Sequence, residues 1–315
     1  MLVLGSVRYL VPAEASADTV TAVGLVISVT TGVLLGAATA GAWSAATDRW
    51  ALPAGAWAAF LVAPVVGSQV PVAWMRWPVP QWLFAVALVA LVAAMSTTRP
   101  GARAQRIDGR ALIVAVVAAC VLTAGYVLLG DLVRSESAAG AVRMWLVAAA
   151  ALVATVIGAE VTARFLPLAD DRFPIAVTGV VAAAYPLAVE LRAATVWVLL
   201  VAPAAAVAGV LLARRLPYPG AGLAVAFVTS TVAVLWPATF ADHIPLPVRV
   251  ALVAVGTGLA LGASLPGTAT TAALGMSLLA PAAAVSGAVW ALPADPRWVV
   301  TALAVTAAAC AWQLR

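Results

Sequence analysis

The stretch MWLVAAAALVATVIGAEVTARF (144–165) decides the fold class. From Met144 to Ala159 it carries no charge. An α-helix rises about 1.5 Å per residue and needs about 20 apolar residues to cross a hydrocarbon core about 30 Å thick. A helix also pairs its backbone N–H and C=O groups internally, as lipid demands. The run therefore reads as a transmembrane helix. Its end is charged: Glu160 and Arg164 are four residues apart, on one face, and can pair. Glu160 falls roughly 24 Å along the helix, past the bilayer centre but short of the far interface. A long arginine reaches the headgroups from there; a shorter glutamate does so less well. The pair is either a boundary anchor or a buried acid with its counter-ion. Because an unpaired carboxylate in hydrocarbon is costly, Glu160 is expected to face the bundle interior.

The same character extends through the chain. Of its 315 residues 65% are hydrophobic and 9% charged, whereas a soluble domain carries roughly 25% charged residues. Lipid must be the solvent for much of this surface. There is no lysine and no asparagine, a composition typical of a GC-rich bacterial genome. The net charge of +5 comes from arginines scattered over short loops, which fits cytoplasmic loops of a membrane protein and not a nucleic-acid surface. Residues 1–19, with Arg8 inside a short apolar run, are expected to lie at the interface. Residues 20–315 read as one helical membrane domain.

Eleven apolar runs are candidate spans, with nine to twelve compatible with the pattern: 20–45, 53–70, 80–97, 111–132, 144–166, 174–190, 194–213, 221–239, 247–266, 269–290 and 297–314. The ninth and tenth are separated only by LPGTAT, where a re-entrant break would fit. Arginines cluster at 96–110 and at Arg214 and Arg215, an even number of spans apart. Basic loops stay in the cytoplasm, which places the N-terminus outside and the C-terminus inside. The opposite loops, WMRWPVPQW (74–82), WPATFADHIPLPVR (236–249) and WALPADPRW (290–298), are rich in Trp and Pro. They read as an aromatic belt with stiff turns, or as an outward docking rim.

Two pairs of segments are alike. TGVLLGAATAG (31–41) resembles TGLALGASLPG (257–267), and Trp74, Pro80 and Trp82 repeat the spacing of Trp290, Pro296 and Trp298. Spans 1–3 and 9–11 are therefore compatible with a parallel duplication, a common plan among transporters. Pro64, Pro186, Pro203 and Pro281 fall inside expected helices, where each removes a backbone hydrogen bond.

Little chemistry is available. His243 is the single histidine, and Cys120 and Cys310 stand alone in apolar runs. No zinc, haem or nucleotide motif is present, and no cofactor or metal is expected. The pair Asp170–Asp171 has no partner motif, and no catalytic residue is assigned. The candidate substrate- or ion-binding residues are Glu160, Arg164, Tyr185 and Glu190, the last two at the kinked end of the sixth run. Glu190 and Arg192 are two apart and do not share a helix face.

The expected function is that of a secondary transporter or permease in the bacterial cytoplasmic membrane, moving a small solute through the bundle. The alternative is a non-catalytic scaffold subunit of a larger assembly, joined to a partner or to a second copy through apolar helix faces. Besides lipid, no partner is named by the sequence.

Overall fold

The computed structural model describes residues 141–166, 172–191, 198–237, 243–292 and 294–315, together with Ile113, Val117, Cys120 and Val121. Among the described residues eight helices succeed one another: α1 (Ala141–Arg164), α2 (Arg172–Glu190), α3 (Val198–Leu212), α4 (Pro219–Leu235), α5 (Leu246–Ala263), α6 (Ala269–Ser277), α7 (Leu279–Trp290) and α8 (Pro296–Gln313). Among the described residues there is no strand. Four stretches of the described residues are long and apolar enough to cross a membrane: Val142–Arg164, Arg172–Glu190, Leu246–Ala263 and Thr271–Trp290. The described part of the chain is accordingly all-α, with helices suited to a membrane. The runs expected from 144 onward each carry helix over most of their described residues. The first three, almost all of the fourth, residues 1–19 and one half of the suspected duplication lie outside them.

Local chemistry sets the helix ends. Pro219 and Pro296 open α4 and α8, and Pro247 lies in the first turn of α5. The first turn leaves its N–H groups unpaired, so a residue without one costs nothing there. Asp295 caps α8 by accepting the Arg297 N–H at 2.8 Å. Thr268 caps α6 by accepting the Thr271 N–H at 3.3 Å. The loop prolines of the sequence reading are, in these three cases, helix starters.

The tenth run differs from expectation. LPGT at 265–268 is the turn between α5 and α6, and a second interruption falls at Leu278, between α6 and α7. Its cause is local. Pro281 has no N–H to offer the Ser277 carbonyl four residues back. The Leu278 N–H instead donates to Gly275 at 3.2 Å, a tighter turn, and the Ser277 hydroxyl donates to the Leu274 carbonyl at 2.7 Å.

Helix α2 is the centre. Its residues from Phe173 to Leu187 are all buried except Tyr185, and it contacts α1, α4, α5, α6, α7 and α8. Helix α5 holds α3 and α4 by close backbone approach. A methyl group on Gly258 would lie 2.3 Å from the Ala206 carbonyl oxygen, and one on Gly256 would lie 2.6 Å from that of Gly222. Only glycine fits at either contact. Gly258 and Gly262 form the small-xxx-small spacing by which membrane helices bring their backbones together.

Candidate functional site

The two glutamates singled out by sequence sit at opposite ends of the bundle. Glu160, in the last turn but one of α1, pairs with Arg164, whose side chain is 74% exposed. Its second carboxylate oxygen is 3.4 Å from the Gln313 amide at the end of α8. Glu160 therefore lies at the seam between α1 and α8, level with the end of α8, about a third exposed. It faces a neighbouring helix, but at the rim of the bundle and not in its interior.

Glu190 is placed differently. It ends α2, and its carboxylate accepts from the Arg249 guanidinium at 2.6 Å. Arg249 lies in the first turn of α5 with its side chain only 10% exposed. Each charge opposes its own helix dipole: an anion stands at a C-terminus, a cation at an N-terminus. Each supplies the counter-charge that the other's position lacks. The Arg249 Nε is buried without a partner. Sequence reasoning missed Arg249, because the contact joins residues 59 apart in the chain. The available signal was an arginine at the start of an apolar run, where a cation is disfavoured. Arg192, the neighbour considered at the sequence level, lies outside the described residues, as do Asp170 and Asp171.

Tyr185 lies at the same end as Glu190. Its ring meets Trp290 of α7 at 6.4 Å between centroids, and a methyl on Gly287 would fall 2.6 Å from its hydroxyl. Near the other end of α2, the Phe173 ring takes up the space beside Gly275 of α6. The central helix thus grips the interrupted pair α6–α7 with an aromatic on a glycine at each end.

Between these ends the interior is apolar, with a few hydroxyls. Those of Thr155, Thr229, Thr257, Ser264 and Thr306 donate to the carbonyl four residues back in their own helices, which satisfies them locally. Thr178 on α2 and Ser230 on α4 are buried to the same degree, and their hydroxyls have no partner. A buried polar group without a partner costs free energy unless water or a ligand reaches it.

The two ends of the helices differ in degree. Arg164, Arg172, Arg214, Arg215 and Arg315 stand at one end with Trp312; Trp145, Trp236, Trp290 and Trp298 stand at the other with Glu190, Arg143, Arg249 and Arg297. A cavity of about 660 Å³ opens at the arginine end, between α4 and α8, and not at mid-bundle. Among the described residues no group of His, Cys, Asp or Glu is placed to hold a metal ion. Comparisons with protein-family models, with curated proteins and with solved structures give no match.

Proposed function

We propose that this chain is a secondary transporter or permease of the bacterial cytoplasmic membrane. In this reading about eleven spans move a small solute, with the N-terminus outside and the C-terminus inside. The observation that carries it is the pair of unpartnered hydroxyls, Thr178 and Ser230, on a central helix and its neighbour. Hydroxyls that could bond to their own helix but are left open mark a place where a polar solute or water would be received. The interrupted helix α6–α7, which packs on α2, fits the discontinuous helices that line solute paths in transporters. Glu190 and Arg249 would close the tryptophan end; Glu160 and Arg164 would anchor α1.

The test is cysteine accessibility in a chain carrying Cys120→Ala and Cys310→Ala. Thr178→Cys and Ser230→Cys should react with a small water-soluble methanethiosulfonate many times faster than Val153→Cys on the exposed face of α1. If neither reacts from either side of the membrane, the transport reading fails. For orientation, cysteines replacing Arg215 and Asp295 should label with an impermeant maleimide from opposite faces; labelling of both from outside would refute the topology.

One observation favours the scaffold reading. Val142, Leu146, Val153, Ile157 and Val161 form an exposed apolar stripe along α1. Under that reading the two interior cysteines stay unreactive, and bulky substitutions on the stripe release a co-purifying partner.

A further inference from the structure

The cavity at the arginine end has a lining of three kinds. Arg172, in the first turn of α2, and Arg315, just beyond α8, bring two guanidinium groups. Tyr218 and Trp312 stand at the mouth, 66% and 70% exposed, and the Arg315 guanidinium stacks over the Trp312 ring at 4.9 Å. Ala224 and Phe227 of α4 and Ala308 of α8 form an apolar inner wall. From Pro219 to Phe227 the cavity follows about two turns of α4.

Among the described residues no Asp or Glu side chain is in this lining. The two guanidinium groups therefore give the described lining a net positive charge. Arg172 also stands at the positive end of its own helix, where a cation is disfavoured unless an anion joins it. The apolar wall argues about the rest of the ligand. A small free anion has no use for Phe227 or Ala308, and 660 Å³ exceeds what a phosphate ion fills. An anion carrying hydrocarbon would use both parts. Trp and Tyr at the mouth belong at the headgroup level, and basic pockets between membrane helices on the cytoplasmic side take anionic headgroups.

We propose that this cavity binds a phosphate group, and that the phosphate is the headgroup of an anionic phospholipid whose acyl chain lies along Phe227 and Ala308. Arg172 and Arg315 hold the phosphate oxygens; Tyr218 and Trp312 flank the glycerol region. The site is independent of whether the chain transports a solute, since it needs only the membrane.

The experiment uses the full chain purified in a neutral detergent. Binding of dioleoyl phosphatidylglycerol, dioleoyl phosphatidylcholine and inorganic phosphate is compared at one ionic strength, by lipid retention in native mass spectrometry and by the shift in thermal unfolding. Phosphatidylglycerol should bind tighter than phosphatidylcholine. Arg172→Gln and Arg315→Gln should each weaken it about fivefold, the factor expected for one arginine near an anionic headgroup. Arg215→Gln, at the same end but outside the cavity, should change it little. Phe227→Ser should weaken phosphatidylglycerol and leave inorganic phosphate unaffected. Equal retention of the two lipids, or equal losses in the Arg215 variant, would overturn the site. A thermal shift with inorganic phosphate as large as that with phosphatidylglycerol would overturn the lipid assignment.

Discussion

Helices α1 and α2 are consecutive, both apolar, and each carries a glutamate near its C-terminal end. Yet 83% of the membrane-crossing window in α2 is buried against 39% in α1, so among the described helices one is the hub and the other an edge. Their glutamates follow suit. Glu160 pairs within its own helix at the rim, whereas Glu190 pairs with a nearly enclosed arginine from α5. Hydropathy does not separate such helices, because lipid and protein interior are equally apolar. What separates them is the size of the residues at contacts and whether a charge finds its partner locally or across the bundle.

The largest effect that would break this contrast is steric. A side chain at Gly179 of α2 would begin 2.6 Å from Leu223 Cδ2 and 2.8 Å from Cys310 Cβ. Gly179→Leu should therefore cost about 3 kcal/mol or prevent accumulation, at the upper end of overpacking effects. Ala150→Leu, on the exposed side of α1, should stay within about 0.5 kcal/mol, as surface changes usually do. Thermal unfolding of the two variants in detergent checks both; equal losses would mean that α1 is as enclosed as α2.

Next is the cross-helix pair. Arg249→Met should cost about 2 kcal/mol, below the 3–5 kcal/mol of fully enclosed pairs because Glu190 keeps 32% of its side chain exposed. Glu190→Gln added to Arg249→Met should recover part of the loss, since no unpaired carboxylate then remains. A double-mutant cycle with no coupling would remove the pair as a link between α2 and α5.

Smallest is Glu160→Gln. An exposed pair at this spacing is worth about 0.3–0.5 kcal/mol, so stability should barely change. Accumulation of a transported solute should be unaffected as well. If the variant abolishes uptake while the folded protein remains in the membrane, Glu160 is a working acid and α1 is more than an edge.

Much of the architecture was legible before any coordinates. Apolar runs flanked by Arg or by Trp and Pro fall on the helices from α1 to α8, and the Glu160–Arg164 pairing follows from helical spacing alone. The interruption at Leu278 was less legible. Pro281 marks a weak point, but a proline in a membrane helix can be accommodated by neighbours, and LPGTAT offers a stronger break nearby. The Glu190–Arg249 contact could not be read, because it depends on how α2 and α5 meet in space. The glycine spacing at Gly258 and Gly262 is present in the sequence as part of TGLALGASLPG, and in the structure it is the face where α3 lies.

Helix length has a consequence for the surrounding bilayer. At about 1.5 Å per residue, the uncharged run of α1 from Met144 to Ala159 spans roughly 24 Å, and the 17 residues of α4 span about 25 Å. Both fall short of a hydrocarbon core about 30 Å thick. Acyl chains beside these two helices would be compressed, or the bilayer locally thinned. Such a mismatch sets a preference for shorter lipid chains beside them.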